Sequence, residues 1–219
     1  MNSKKQHCDW GLLFDLDGVL IDSENSYSEF WHHVNEKHPT GVDRLEYVIK
    51  GKTLDNILST YYPEVEVQDE IVRELREHEA TMEYCLFEGV ENFLQEVEAA
   101  GILTAIVTSS NKPKMLRLFE KFSILHELMD VVITDEDVTR SKPDPQGYNL
   151  AAKRLGLKPE RCIVFEDSMA GVEAGRRAGG AVVGVATTNS AEKLREFADV
   201  VINSFSELTL ADLRQLIEA

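Results

Sequence analysis

The chain has 219 residues, 43% hydrophobic and 28% charged, a balance that excludes disordered and fibrous proteins and allows one domain or a domain carrying an insert. Twenty-three basic side chains face 39 acidic ones, and the formal net charge of −16 argues against a nucleic-acid partner, whose phosphates it would repel. Three widely spaced cysteines, Cys8, Cys85 and Cys162, give no basis for a disulfide framework or a zinc knuckle and read as free thiols.

The opening MNSKKQHCDW has lysines without an apolar stretch behind them, and no apolar run approaches a bilayer's thickness. The expectation is a cytoplasmic protein, a monomer or small homo-oligomer, with no membrane partner. From Trp10 to Leu16 runs a nearly continuous apolar segment ending in an acid, the pattern of a strand buried on both faces of a parallel sheet. Residues 25 to about 87 change the rhythm: helical stretches such as Tyr27 to Glu36 and Glu70 to Tyr84, and no convincing buried strand. Between Tyr27 and Leu86 six basic and thirteen acidic residues give a net charge of −7, so this insert is no polyanion clamp.

Beyond residue 88 apolar runs return at Leu103 to Val107, Val131 to Ile133, Cys162 to Phe165, Ala181 to Val185 and Val200 to Ile202. Helical patterns separate them. Val90, Phe93, Leu94 and Val97 keep helix spacing and stop at Gly101; Met115, Leu118, Phe119 and Phe122 do so after Pro113. The alternation predicts an α/β fold with a doubly wound parallel sheet, residues 1–24 and 88–219 forming the core and 25–87 an all-helical cap. Ligands of such sheets bind beyond the carboxyl ends of the strands, which is where the cap would hang as a water-excluding lid.

Four polar groups stand at those ends. Asp15 and Asp17 close the first strand, two residues apart and so pointing the same way, with Gly18 permitting a sharp exit; an Asx-turn would use the same spacing. Thr108, Ser109, Ser110 and Asn111 follow the second run and suit either phosphate oxygens or the cap of the helix near Pro113. In Ser141-Lys142-Pro143-Asp144-Pro145 prolines stiffen a loop around a lysine able to offset phosphate charge, although surface lysines are commonly idle. Glu166 and Asp167 end the fourth run before the helix-like Ala170 to Ala178, and two adjacent acids call for a cation or a helix N-terminus; with Asp15 they make an oxygen site suited to magnesium, while Asp167 also suits a helix cap. The meaning lies in their convergence on one sheet edge, and the chain's negative field makes a metal ion the natural source of positive charge for an anionic substrate.

DLDGVLIDS (Asp15–Ser23), VTSSN (Val107–Asn111), SKPDP (Ser141–Pro145) and VFEDSMAGVEAG (Val164–Gly175) together resemble the haloacid dehalogenase-like superfamily, in its β-phosphoglucomutase-like subgroup of phosphatases with a helical cap. The resemblance spans essentially the whole chain. It implies a magnesium-dependent phosphatase of a small phosphorylated molecule, a sugar phosphate first, in which Asp15 attacks phosphorus to form an aspartyl phosphate and Asp17 protonates the leaving oxygen and later activates water. It further implies magnesium between Asp15, the main-chain carbonyl of Asp17 and Asp167, with Glu166 bound directly or through water. Thr108, the Ser109 amide and Lys142 would hold phosphoryl oxygens.

Asp17 argues against dehalogenation, which needs no proton for a halide, and phosphonate cleavage departs from the same acid pair. A hexose phosphate mutase shares the chemistry but needs a histidine after the pair and a cap arginine, where this chain has Tyr27 and Leu54. A phosphorylated receiver module would have no use for sixty inserted residues. Gly51-Lys52-Thr53 lacks the earlier glycine of a nucleotide P-loop, since Glu46 stands there; Lys52 stays as a candidate substrate contact beside the plain reading of a solvated helix lysine. His32 and His33, adjacent in sequence, point to different helix faces, and Trp10 and Trp31 read as packing residues.

Overall fold

The computed structural model describes residues 8–50 and 52–218, so Gly51 lies outside the described residues. In chain order the elements are β1 (Gly11–Phe14), β2 (Ile21–Asp22), α1 (Glu24–Lys37), α2 (Leu45–Val48), α3 (Leu54–Tyr61), α4 (Val65–Thr81), β3 (Cys85–Leu86), α5 (Val90–Ala99), β4 (Leu103–Val107), α6 (Lys112–Lys121), α7 (Ser123–Leu128), β5 (Val131–Ile133), α8 (Gln146–Leu155), β6 (Cys162–Glu166), α9 (Met169–Ala178), β7 (Ala181–Val185), α10 (Ala191–Leu194), β8 (Val200–Ile202) and α11 (Leu210–Glu218).

Six strands make one parallel sheet in the order β5-β4-β1-β6-β7-β8. Chain order reverses at β1: the next strand, β4, lies on one side, and β6 on the other. Such a switch point opens a crevice at the carboxyl ends of the strands. Every residue of β1 and β6 is buried, because helices cover both faces. Leu12, Phe14, Ile163 and Phe165 pack with α5, α6 and α11 on one face, and Leu13 and Val164 with α8 and α9 on the other, as a period of two demands. Phe14, Phe93, Phe165 and Phe205 stack together, with ring centroids between 4.8 and 6.4 Å apart.

Helices α1 to α4 have an apolar core of their own, built on Phe30, Val34, Leu45, Leu58 and Ile71 among others. The sequence showed no strand in this stretch, yet β3 pairs antiparallel with β2, Ile21 opposite Leu86 and Asp22 opposite Cys85. Two-residue strands carry no periodicity to read. Helix α4 also sits earlier than its pattern predicts, from Val65 to Thr81 rather than Glu70 to Tyr84. Trp31 packs in this core, as expected, and also lines the cleft described below. His32 and His33 are exposed. Cys8, Cys85 and Cys162 are all unpaired. Among the described residues no helix is long and apolar enough to cross a membrane.

Candidate active site

Strand register gathers the polar groups. Phe14 lies beside Ile106 on one side and Phe165 on the other, so the residues that follow, Asp15, Thr108, Glu166 and Asp167, come out together at the switch point. The Asp15 amide donates to the Phe165 carbonyl at 3.0 Å and the Thr108 amide to that of Ile133 at 3.0 Å, extending the ladder one residue past each strand. Gly18 then turns the chain with φ +83°, and a Cβ there would stand 2.1 Å from Asp167 Oδ2. Only glycine meets both demands.

Lys142 is buried between two acids. Its Nζ donates to Asp15 Oδ1 and to Glu166 Oε1, each at 2.6 Å, and to the Val107 carbonyl at 3.2 Å. The Tyr148 hydroxyl also donates to Glu166 Oε1, at 2.7 Å, while Ser168 Oγ (3.0 Å) and the Asp167 and Ser168 amides (3.2 Å each) donate to Oε2. Helix α9 makes room for that carboxylate at Gly171, whose missing Cβ would fall 1.8 Å from it. Burial pushes the Asp15 carboxyl up to about 7, with the Glu166 and Asp17 charges adding to the rise against the opposing pull of Lys142. Burial alone would lower Lys142, but Asp15 and Glu166 hold its ammonium above its ordinary range.

Asp17 has a different cage. Lys114 Nζ donates to both its oxygens, at 2.6 and 2.7 Å; Ser110 Oγ donates to Oδ2 at 2.8 Å and Ser23 Oγ to Oδ1. Burial would raise this carboxyl, but the charge and hydrogen bonds of Lys114 and the hydroxyls of Ser23 and Ser110 win and hold it below the usual carboxylate range. The two acids of the pair are thus driven apart, Asp15 upward and Asp17 downward. Opposed shifts of neighbouring carboxyls are a mark of divided roles.

Asp15, Glu166 and Asp167 are buried and can each offer an oxygen within 4.8 Å of the others. With Lys142 counted, three carboxylates meet one ammonium, which leaves two negative charges for a divalent cation to balance. An all-oxygen set of this kind suits magnesium. Glu166 already accepts from five protein donors, so Asp15 and Asp167, which also line the cleft, are the more direct partners.

Above the site lies a cavity of about 150 Å³ between the sheet edge and the helices α1 to α4. Asp15, Asp17, Thr108, Ser109, Asp167 and Lys52 all line it. Lys142 and Glu166 do not; they reach it through Asp15. Lys52 is no helix lysine, since it precedes the Thr53 cap of α3, and its Nζ donates to the Tyr61 hydroxyl at 2.9 Å.

The two capping readings part ways. Within the cluster from Thr108 to Asn111, Asn111 does cap α6, accepting from the Lys114 amide at 2.9 Å, whereas α9 is capped by Ser168 and not by Asp167, Ser168 accepting from the Gly171 amide at 3.0 Å. Thr108, Ser109 and Ser110 therefore face the cleft, and Ser110 serves Asp17. Sequence reasoning missed Lys114 and Tyr148, and the contacts that Ser23 and Ser110 make with Asp17. Lys114 had a signal: it stands four residues before Leu118 on the buried face of α6, an odd place for an idle lysine.

A family model described as haloacid dehalogenase-like hydrolase matches residues 12–199. The validoxylamine A 7'-phosphate phosphatase of Streptomyces hygroscopicus subsp. limoneus is 34% identical over 207 residues, covering 90% of this chain and 94% of that one. Hexitol phosphatase A of Escherichia coli (strain K12) is 34% identical over 204 residues, covering 91% and 93%. Among solved structures, a HAD family hydrolase from Deinococcus radiodurans R1 with bound phosphate and sodium superposes with a TM-score of 0.70 at 27% identity, covering 96% and 97%.

Proposed function

Because this chain belongs to the haloacid dehalogenase-like hydrolase family and is a phosphoric monoester hydrolase, we propose that it hydrolyses a small sugar phosphate with magnesium through a phosphorylated Asp15. In this reading residues 1–24 and 88–219 are the catalytic core and 25–87 the cap that closes over it. The observation that carries it is Asp15 itself: a carboxylate at the sheet's switch point, gripped by Lys142 at 2.6 Å and lining a cleft it shares with Asp17. The names of the two relatives, phosphatases for validoxylamine A 7'-phosphate and for hexitols, support the substrate class.

Asp15, the main-chain carbonyl of Asp17, Asp167 and Glu166 would hold magnesium, which when bound neutralises charge on the phosphoryl group. An Asp15 oxygen bonds to phosphorus as the bond to the organic oxygen breaks, and Asp17 passes a proton to that oxygen. Asp17 then takes a proton from water as the water oxygen bonds to phosphorus, breaking its bond to Asp15 and releasing inorganic phosphate. Ionised Asp17, held by Lys114, is the form the second step needs. For the first, the negative phosphate arriving beside it raises its affinity for a proton. Lys142 fixes the Asp15 oxygen, and Thr108 and the Ser109 amide bind the remaining phosphoryl oxygens.

The mutase alternative lacks the histidine and the cap arginine it would use: Tyr27 and Leu54, which stand at those positions, both line the cleft, and the Tyr27 hydroxyl donates to Glu79 at 2.8 Å. The test is phosphate release from a panel of phosphorylated metabolites, with and without magnesium, for the wild type and Asp15→Asn. Magnesium-dependent release that the substitution abolishes is expected; full activity in Asp15→Asn overturns the nucleophile, and isomerisation of a hexose phosphate faster than its hydrolysis overturns the choice of reaction.

A further inference from the structure

Two buried acids of the helices above the sheet line the cleft, Glu79 on α4 and Glu46 on α2. Their surroundings differ. Glu79 is satisfied, accepting from the Tyr27 hydroxyl and from Arg117 of α6, each at 2.8 Å. Glu46 is only 9% exposed, and its Oε2 is buried with no hydrogen-bond partner among the described residues. An acceptor left in that state costs the protein stability, because the water it lost on folding has not been replaced. Asp135, on the core side of the same cleft, also has a carboxyl oxygen, Oδ1, buried without a partner.

We propose that Glu46 is a specificity residue whose carboxylate accepts hydrogen bonds from hydroxyls of the substrate's organic part, so that the enzyme selects polyhydroxylated monophosphates. This rests on the phosphatase reading above and deepens it. Hydroxyl groups are donors that a carboxylate lining the cleft can use, and a site built around such an acceptor discriminates strongly against analogues that lack the donor. Trp31, buried and lining the same cleft, adds a flat apolar surface for the carbon face of a sugar or polyol. The cleft thus offers donors and a cation site at the sheet edge for the phosphoryl group and, in an upper lining that also includes Lys50 and Lys52, Glu46 as an acceptor for hydroxyls.

The experiment compares Glu46→Gln with the wild type, with magnesium, on glucitol 6-phosphate and on phenyl phosphate, which has no hydroxyls to offer. The ratio of kcat/KM for glucitol 6-phosphate over phenyl phosphate is expected to fall about tenfold or more in the variant. Thermal unfolding of the free protein supplies the second readout. The melting temperature of Glu46→Gln is expected to equal or exceed that of the wild type, as removing an unpartnered buried charge relieves the fold. A ratio within twofold of the wild type overturns the proposal, as does a lower melting temperature with equal losses on both substrates, the mark of a structural glutamate. Glu46→Leu, which removes the acceptor while keeping bulk, checks the same ratio should the glutamine variant fold poorly. Should the wild type cleave neither ester, and Asp15→Asn change nothing, the phosphatase reading fails on its own account.

Discussion

Replacing Lys142 with methionine tests the electrostatic design of the site. Its ammonium lies 2.6 Å from carboxylate oxygens of both Asp15 and Glu166, and the three side chains are 8, 12 and 0% exposed. At an effective dielectric near 20, each contact is worth roughly 6 kcal/mol of gross attraction. The desolvation of three charges offsets much of that, and removing one partner of a buried pair costs a net ~3–5 kcal/mol. For a chain of this length that lowers the melting temperature by roughly 6–20 °C.

The loss should also depend on pH. In the wild type, the Asp15 carboxyl is raised from 3.8 to about 7, so between those values the folded state binds more protons than the unfolded, and stability declines as pH rises through that window. Without Lys142 the carboxyl rises further, the window extends to higher pH, and the variant's deficit grows from pH 6 to pH 9. Adding Glu166→Gln to Lys142→Met removes the second carboxylate charge left without its cation, though not without its four neutral donors, and should return about 1–3 kcal/mol. Urea unfolding followed by circular dichroism in metal-free buffer measures all three proteins. The reasoning is refuted if Lys142→Met loses less than about 0.5 kcal/mol, or if Glu166→Gln deepens the loss rather than relieving it.

Lys114→Met should lower kcat on a cleaved ester by about tenfold or more while KM moves little, because Lys114 holds Asp17 rather than the substrate; steady-state kinetics decide, and a change confined to KM would contradict it. Burial pushes the Cys162 thiol up to about 12, so at pH 8 only roughly one molecule in ten thousand carries the thiolate. Mass spectrometry after brief iodoacetamide treatment should therefore find exposed Cys85 alkylated and Cys162 untouched until urea unfolds the chain.

The core was legible because its strands are buried on both faces. Leu103 to Val107 and Cys162 to Phe165 appear as plain apolar runs, and their polar ends mark the sheet edge without further help. Asp15, Thr108, Glu166 and Asp167 were found that way, and β1–β4–β6 register brings their strands together, while Lys142 arrives on the loop between β5 and α8. What stayed hidden depends on contacts between distant segments. Lys114 meets Asp17 across 97 positions, and Tyr148 reads as one more large residue on the buried face of α8 until its hydroxyl is seen at Glu166. Ser23 lies within the first motif and gives no sign that it turns back to Asp17. Glu46 is hidden for the opposite reason: it is notable for a contact it lacks.

The small ribbon of Ile21–Asp22 against Cys85–Leu86 has a consequence for how such proteins diversify. It brings the start and finish of the helical excursion side by side, so the sheet experiences roughly sixty residues as it would a short loop, and closing a longer loop adds little entropic cost. An excursion anchored in this manner can be lengthened, shortened or rewritten in its facing side chains while β1 still delivers Asp15 to the same place. On the proposed reading, chemistry and choice of substrate then answer to separate stretches of the gene, joined at two pairs of residues.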